Sequence, residues 1–400
     1  MQRDHRGTVG EIFIAFLKLG LTSFGGPIAH LGYFRDELVI RRRWIDEKGY
    51  ADLVALCQFL PGPASSQTGF ALGLLRGGPM GAAAAWLAFT LPSAIALFLF
   101  ALGAAHFGGP IGSGILTGLK IVAVAIIAQA VWGMAKNLCP DRPRAGIALA
   151  ALLIVILVPI AFGQIAAILI GGLAGYWLCR MATEANGAVV AFPVSRRIGI
   201  LSLALFFLLL VGLPLLATGT GLQGVALTDA FYRTGALVFG GGHVILPLLE
   251  AETVQTGWVE RDVFLAGYGA AQAIPGPLST FAAYLGAALG PEPNGLAGAS
   301  IALVAIFLPG FLLLVGIMPF WNEFRTQSSA QSLMRGANAA VVGILGAALY
   351  DPVWTSAILE PAHFALALTG FLLLTIWKTP PWVVVILSAL GGVLISLISG

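Results

Sequence analysis

Two short stretches of the chain place helix-breaking residues beside hydrogen-bond donors. Residues 58–66 read QFLPGPASS, and residues 272–280 read QAIPGPLST. Proline lacks an N–H group and blocks the preceding helical turn, so each Pro-Gly-Pro sequence predicts a break followed by a new helix start. The N–H groups of a helix start carry a partial positive charge, and serine, threonine and glutamine side chains add further donors. Such a cluster would bind an anion that has oxygen atoms on several sides.

A Phe-Gly-Gly sequence precedes each stretch and predicts a second pair of helix breaks. The predicted anion-binding residues of the first half are Phe24, Gly25, Gly26, Gln58, Pro61, Gly62, Pro63, Ser65 and Ser66. Those of the second half are Phe239, Gly240, Gly241, Gln272, Pro275, Gly276, Pro277, Ser279 and Thr280. The rival interpretation is that these residues only kink membrane helices, in which proline and glycine are common. We interpret His30 and His243, which follow the glycine breaks, as packing residues.

Basic residues within apolar segments indicate the sign of the ligand. Lys18 and Arg233 lie at the same distance before the two glycine breaks, and Lys120 is a third such cation. A charge inside the membrane costs about 2.5 to 3.5 kcal/mol, so we predict that these three residues contribute to anion binding. The alternative for Lys18 is an amine that reaches the membrane surface. We interpret the basic run at residues 41–43 as a topology determinant and not as a substrate site.

The composition is typical of an integral membrane protein. Of the 400 residues, 58% are hydrophobic and only 10% are charged. Apolar runs occur at residues 79–107, 112–135, 145–161, 164–182, 198–216, 295–320, 333–350, 362–377 and 381–398. These runs approach or exceed the roughly 20 helical residues that cross a lipid bilayer. The three cysteines lack the spacing of a metal site, and no nucleotide-binding loop is evident. We expect no metal, cofactor or nucleic-acid partner, and no use of ATP.

The second half of the sequence repeats the first half at an offset near 215. Phe24, Gly25 and Gly26 match Phe239, Gly240 and Gly241; Trp44 matches Trp258, and Pro92 matches Pro309. The two Pro-Gly-Pro stretches also match, so they are two copies of one structural element. We place the first repeat at residues 1–140, connecting transmembrane helices at 141–224, the second repeat at 225–352 and C-terminal transmembrane helices at 353–400.

The charges of matched loops predict that the two repeats have opposite orientations. The loop FRDELVIRRRWIDEKG carries five basic residues, whereas its counterpart LLEAETVQTGWVERD carries four acidic residues and one arginine. Under the positive-inside rule these loops lie on opposite faces of the membrane. The sequence therefore predicts an all-α, polytopic integral membrane protein with two inverted-topology repeats that contain broken or re-entrant helices. At each break a re-entrant hairpin and a kinked full crossing both remain open.

The sequence resembles the chromate ion transporter family. The resemblance is carried by FLKLGLTSFGGPIAHLGYFRDE, CQFLPGPASSQTGFALG, GALVFGGGHVILPLLEAE and AQAIPGPLSTFAAYLG, and it covers nearly the whole chain. It implies a bacterial inner-membrane transporter that lowers cytoplasmic chromate and confers chromate resistance. It also implies that the Phe-Gly-Gly and Pro-Gly-Pro blocks are functional. Pro27 is replaced by Gly242 in the second repeat, so the two sites need not be equal.

Electrostatics favour export of such an anion. A potential of 100 mV, negative inside, drives a dianion outward by roughly 4.6 kcal/mol. Uptake would need coupling to protons or sodium through paired intramembrane carboxylates, and the candidates Glu11 and Asp52 have no acidic counterpart in the second half. We therefore expect a secondary transporter that exports chromate. The alternatives are a carrier or exchanger of sulfate or another oxyanion, a passive anion channel and, less favoured, a membrane-embedded enzyme. We also consider a homodimer.

Overall fold

The computed structural model describes residues 7–104, 109–158, 161–179, 192–239, 242–324 and 327–399. These residues form helices and connecting turns, without a β-strand among them. Each of the nine apolar runs coincides with a helix over its described part, and six helices in that part are long and apolar enough to cross a membrane. The predicted all-α, polytopic membrane class is confirmed.

The helices of the first half begin with two short pairs and continue with long spans. They are α1 (Val9–Thr22), α2 (Gly26–Phe34), α3 (Glu47–Phe59), α4 (Ala64–Ala104), α5 (Gly109–Leu138), α6 (Arg142–Leu157) and α7 (Ala161–Leu178). Helix α8 (Arg196–Thr220) follows, packs against α9 and α13 of the second half, and is mostly exposed.

The second half follows the same order. Its helices are α9 (Gln223–Leu237), α10 (Ile245–Thr253), α11 (Arg261–Ala271), α12 (Phe281–Ala288), α13 (Gly295–Ile317), α14 (Trp321–Phe324), α15 (Ser328–Ala348), α16 (Thr355–Ala357), α17 (Pro361–Thr375) and α18 (Pro381–Ser399). Two π-helical segments (Arg35–Arg41 and Leu349–Trp354) and three 3₁₀ turns (Gly242–Val244, Leu278–Thr280 and Met318–Phe320) complete the described elements.

The breaks between the short helices follow from glycine and proline. Helix α1 ends before Gly25 and Gly26, whose φ angles are 100° and 81°. Side chains rarely adopt such positive φ values, so these positions favour glycine. Helix α3 ends before Pro61, and Gly62 has a φ of 121°. The local sequence therefore stops both helices where the breaks are predicted.

Helix α4 consists of two antiparallel arms. Gly77 and Gly78 have non-helical backbone angles, and a Cβ atom at Gly73 would collide with the carbonyl oxygen of Gly81. Residues eight apart in a straight helix are separated by about 12 Å, so the chain must reverse between these two glycines. Residues 64–76 form the first arm, and residues 79–104 form the second arm.

The broken helices of the first half return to the end of the molecule from which they start. The indole Nε1 of Trp44, just before α3, donates to Oε1 of Glu11 in α1 at 3.1 Å. Nη2 of Arg76, at the end of the first arm of α4, lies 3.3 Å from the same oxygen. The starts of α1 and α3 and the end of this arm therefore meet. The chain path is that of two hairpins: α1 with α2, and α3 with the first arm of α4.

The second half forms the equivalent hairpins. The N–H of Gly290, after α12, donates to the carbonyl oxygen of Trp258, before α11, at 2.9 Å. A Cβ atom at Gly224, at the start of α9, would lie 3.6 Å from the ring of Pro293. Beyond the hairpins, α6 and α7 pack against α15, whereas α17 and α18 pack against α5. Each half therefore supplies two helices that cover the long helix of the other.

Candidate functional site

The helix breaks of the two halves are bonded to each other. The N–H of Gly62 donates to the carbonyl oxygen of Val238 at 2.7 Å, and the N–H of Gly276 donates to that of Ser23 at 2.9 Å. Ser23 and Val238 are matched by the repeat offset, and so are the two glycines. Each Pro-Gly-Pro turn therefore lies against the glycine break of the other half, and the predicted break regions come together.

Both turns pack against the middle of a long helix. A Cβ atom at Gly62 would lie 3.1 Å from Cα of Gly310 in α13, and one at Gly276 would lie 2.7 Å from Oγ of Ser93 in α4. Nε2 of Gln67 donates to the carbonyl oxygens of Pro61 (3.0 Å) and Gly310 (2.9 Å) and holds the first turn there. Neither turn has room for a side chain at its glycine.

The helix start after the first turn is surrounded by buried polar atoms. Ser65 and Ser66 begin α4, and Oγ of Ser65 lies 3.3 Å from Nδ1 of the buried His30. Oγ of Ser66, Nε2 of His30 and Oγ of Ser23 are buried and have no hydrogen-bond partner among the described residues. An unpaired buried polar group costs about 1 to 3 kcal/mol, so the unpaired atoms of Ser66 and of His30, which contacts the neighbouring Ser65, favour a ligand at this helix start. Sequence reasoning assigned His30 to packing and left Ser23 out.

At the helix start after the second turn, more of the polar side chains already have hydrogen-bond partners. Ser279 and Thr280 are buried in a 3₁₀ turn, and Oγ1 of Thr280 donates to the carbonyl oxygen of Pro277 at 2.7 Å. Nδ1 of His243 lies 2.8 Å from the hydroxyl of Tyr268. Nε2 of Gln272 is a buried donor without a partner among the described residues. The two turns thus share a backbone geometry but differ in the donors that they offer.

Some predicted ligands are more exposed than these buried donors. The side chain of Gln58 is exposed, and the ring of Phe24 is half-buried with its centre 6.1 Å from that of Trp382 in α18. Phe239 is also half-buried. Gly240 and Gly241 lie outside the described residues.

The two matched cations form matched ion pairs. Nζ of Lys18 lies 2.8 Å from Oε2 of Glu37, and Nη2 of Arg233 lies 3.2 Å from Oε2 of Glu252. Glu37 and Glu252 are separated by the same offset of 215 as Lys18 and Arg233. Each pair ties together the two arms of the first hairpin of its half. Sequence reasoning missed both glutamates, although the repeat offset would have found them.

The remaining charged candidates have partners of their own. Nζ of Lys120 in α5 lies 3.0 Å from Oδ2 of Asp262. Oδ1 of Asp52 accepts a hydrogen bond from the indole of Trp321 at 3.2 Å. Lys18, Lys120 and Arg233 each form an ion pair with a carboxylate, and their role as anion ligands stays a prediction.

Hairpins that meet at helix breaks, in the middle of long apolar helices, define a class of membrane transporter with broken helices. Within that class, the chain belongs to the chromate transporter family, whose model matches residues 10–176 and 225–393. It is therefore a multi-pass membrane transporter and not an enzyme. Each matched range covers most or all of one predicted repeat and continues beyond its end. The predicted repeat boundaries, at residues 140 and 352, stay predictions.

Relatives of known name agree with this family. The chain is 29% identical to a chromate transport protein of Pseudomonas aeruginosa over 95% of this chain and 90% of that protein. It is 28% identical to a chromate transport protein of Cupriavidus metallidurans over 96% and 92% of the two chains. It is also 32% identical to an uncharacterized transporter of Bacillus subtilis, YwrB, over 42% of this chain and 85% of that protein. The last relative therefore corresponds to about half of this chain. No solved structure matches the sequence.

Proposed function

We propose that the protein is a secondary transporter that exports chromate across the inner membrane of a bacterium and thereby confers chromate resistance. The observation that carries this proposal is the crossed pair of hydrogen bonds from Gly62 to Val238 and from Gly276 to Ser23. Each bond holds the turn of one half against the helix break of the other half. Membership of the chromate transporter family supports chromate as the substrate.

The ends of α13 support an inverted arrangement of the two repeats. Helix α13 begins after Pro293, beside the start of α9 at Gly224. It leads into Trp321, which bonds Asp52 near the start of α3. Its 23 residues span about 35 Å, enough to cross a bilayer. The hairpins of the two halves therefore start from opposite ends of α13 and meet near Gly310. Two such halves can open the central site alternately to the two faces.

We place the oxyanion at the first turn, where the start of α4 contacts His30, and we include the unpaired hydroxyls of Ser66 and Ser23 among its donors. The helix start supplies N–H donors and partial positive charge, and the two hydroxyls and the imidazole supply donors around it. These groups recognise a tetrahedral arrangement of oxygens and not the central atom. Sulfate therefore remains the alternative substrate, and a passive anion channel remains the alternative mechanism.

The ion pairs are consistent with export driven by the membrane potential. Glu37 and Glu252 are matched acidic residues, and each forms an ion pair with a cation of its own half. They therefore do not offer a free carboxylate pair for the protons or sodium ions that uptake of a dianion would need. The membrane potential supplies roughly 4.6 kcal/mol per 100 mV for outward movement of a dianion, and this remains the simplest source of energy for export.

Uptake of chromate into inside-out membrane vesicles tests this function, because the cytoplasmic face of such vesicles is exposed to the added anion. We expect potential-dependent chromate accumulation that excess unlabelled chromate reduces at least as strongly as sulfate, phosphate or molybdate does. Stronger competition by sulfate than by unlabelled chromate would identify a sulfate carrier. Uptake whose initial rate does not saturate with chromate concentration, and that a counter-anion does not stimulate, would identify a channel. Vesicles from cells that lack the protein serve as the control for background uptake.

A further inference from the structure

Three cations converge on one carboxylate of the first hairpin. Oε2 of Glu37 lies 2.8 Å from Nζ of Lys18 and 3.3 Å from Nη1 of Arg41, and its Oε1 lies 2.8 Å from Nε of Arg42. Three positive charges against one negative charge leave two net positive charges. This surplus of two positive charges is equal in size and opposite in sign to the charge of a chromate or sulfate dianion.

The matched position in the second half has the reverse balance. Arg233 lies 2.8 Å from Oδ2 of Asp229 and 3.2 Å from Oε2 of Glu252, so one cation faces two carboxylates. This group carries one net negative charge. The two matched ion pairs therefore have surroundings of opposite sign.

The two groups also differ in access. The side chains of Lys18 and Arg41 are 49% and 69% exposed, and that of Arg42 is 29% exposed, whereas Glu37 beneath them is only 8% exposed. In the second half the side chain of Arg233 is 23% exposed, and its two carboxylates are less exposed. The cations of the first group are therefore accessible from outside the protein, whereas the carboxylate that offsets one of their charges is buried.

We infer that Lys18, Arg41, Arg42 and Glu37 form a capture site that binds the dianionic oxyanion before it reaches the helix breaks. This inference revises our interpretation of residues 41–43 as a topology determinant only. This inference rests on the proposed function and extends it. The capture site lies on the face that the charge pattern assigns to the cytoplasm, and Lys18 precedes Ser23 by five residues, or about 7.5 Å along a helix. A net charge of plus two concentrates anions at this face, whereas the negative group of the second half disfavours their entry from the other side.

Arg43 provides a matched control within the same basic run. It has a φ of 55°, its side chain is exposed, and it makes no described contact with Glu37. Replacement of Arg41, Arg42 or Arg43 by glutamine removes the same charge from the same loop. Only the first two changes remove a charge from the capture site, so a general effect of loop charge and a local binding effect are separable.

The test measures initial rates of chromate uptake into inside-out vesicles over a range of chromate concentrations. Arg41→Gln and Arg42→Gln are expected to raise KM about threefold or more with little change in kcat, and Arg43→Gln is expected to leave KM unchanged. Glu37→Gln increases the surplus to three charges and should lower KM. Added salt should raise the wild-type KM more than that of Arg41→Gln, because salt screens exposed charges.

Equal KM values for Arg41→Gln, Arg42→Gln and Arg43→Gln would overturn the capture site, as would a Glu37→Gln variant with raised KM and normal membrane insertion. If Glu37→Gln does not reach the membrane, the comparison of the three arginine variants decides alone. Failure of the wild-type vesicles to accumulate any oxyanion would instead contradict the proposed function. The two failures are therefore distinguishable.

Discussion

The backbone N–H of Gly62 donates a 2.7 Å hydrogen bond to the carbonyl oxygen of Val238, which directly follows α9 in the other half of the chain. The equivalent bond joins Gly276 to Ser23 at 2.9 Å. Because each turn is anchored on the opposite break, neither half can complete its central region alone. A movement of one hairpin relative to the other half must therefore alter both turns.

Substitution of hydroxyl residues at the two helix starts should have different effects. Oγ of Ser66 has no described partner, so Ser66→Ala should weaken anion binding by roughly 1.5 to 3 kcal/mol and leave stability unchanged. Thr280 donates to Pro277, so Thr280→Ala should lower stability by about 1 kcal/mol with a smaller effect on binding. Chromate binding and thermal unfolding of both purified variants check this. Equal binding losses in the two variants would contradict an anion site at the first turn.

Neutralisation of the two matched cations should also be asymmetric. Arg233→Gln leaves Asp229 and Glu252 partly buried without their cation, which should cost about 3 to 5 kcal/mol of stability. Lys18→Gln leaves Glu37 with two arginines, so the protein should remain stable while chromate transport falls. Thermal unfolding in detergent and vesicle uptake measure the two effects. The double variant Arg233→Gln/Glu252→Gln should recover part of the lost stability. Unimpaired transport by stable Lys18→Gln protein would remove Lys18 from the anion path.

The helix breaks could be predicted from the sequence because glycine and proline act locally. Gly25, Gly26 and Gly62 need only their own backbone angles to end a helix, and the duplication made each break visible twice. The choice between hairpin and crossing could not be predicted, because both paths have the same local sequence. It depends on long-range contacts such as that between Trp44 and Glu11. The donors around the first turn were incompletely predicted for the same reason, since His30 reaches Ser65 only through the hairpin geometry.

Thiol labelling tests the inverted orientation of the repeats. Lys48→Cys and Thr256→Cys place exposed thiols near matched loops of the two halves, in a background in which Cys57, Cys139 and Cys179 are replaced. An impermeant thiol reagent added to whole cells should label position 256 and not position 48, because the basic loop faces the cytoplasm. Labelling in permeabilised cells controls for reactivity. Labelling of both positions in whole cells would contradict the inverted arrangement.

A bulky side chain at the first turn distinguishes two hypotheses. In one the turn binds the anion, and in the other its prolines only kink the helices. A side chain at Gly62 would meet Gln67 and Gly310, so Gly62→Leu should displace the turn and abolish binding. Gly212 in α8 faces open space, and Gly212→Leu is therefore a control with the same change in size and hydrophobicity. If the prolines only kink two crossing helices, Pro63→Ala and Pro277→Ala should impair folding while the glycine variants still bind.

Equilibrium binding of chromate to purified protein tests the central claim, that the crossed helix breaks hold the oxyanion, most directly. The wild-type protein and Gly62→Leu, each selected as monodisperse and helical, are compared with Gly212→Leu under identical conditions. We expect Gly212→Leu to bind chromate as the wild-type protein does and Gly62→Leu to show no binding at the same concentrations. Wild-type affinity in folded Gly62→Leu protein would contradict the claim.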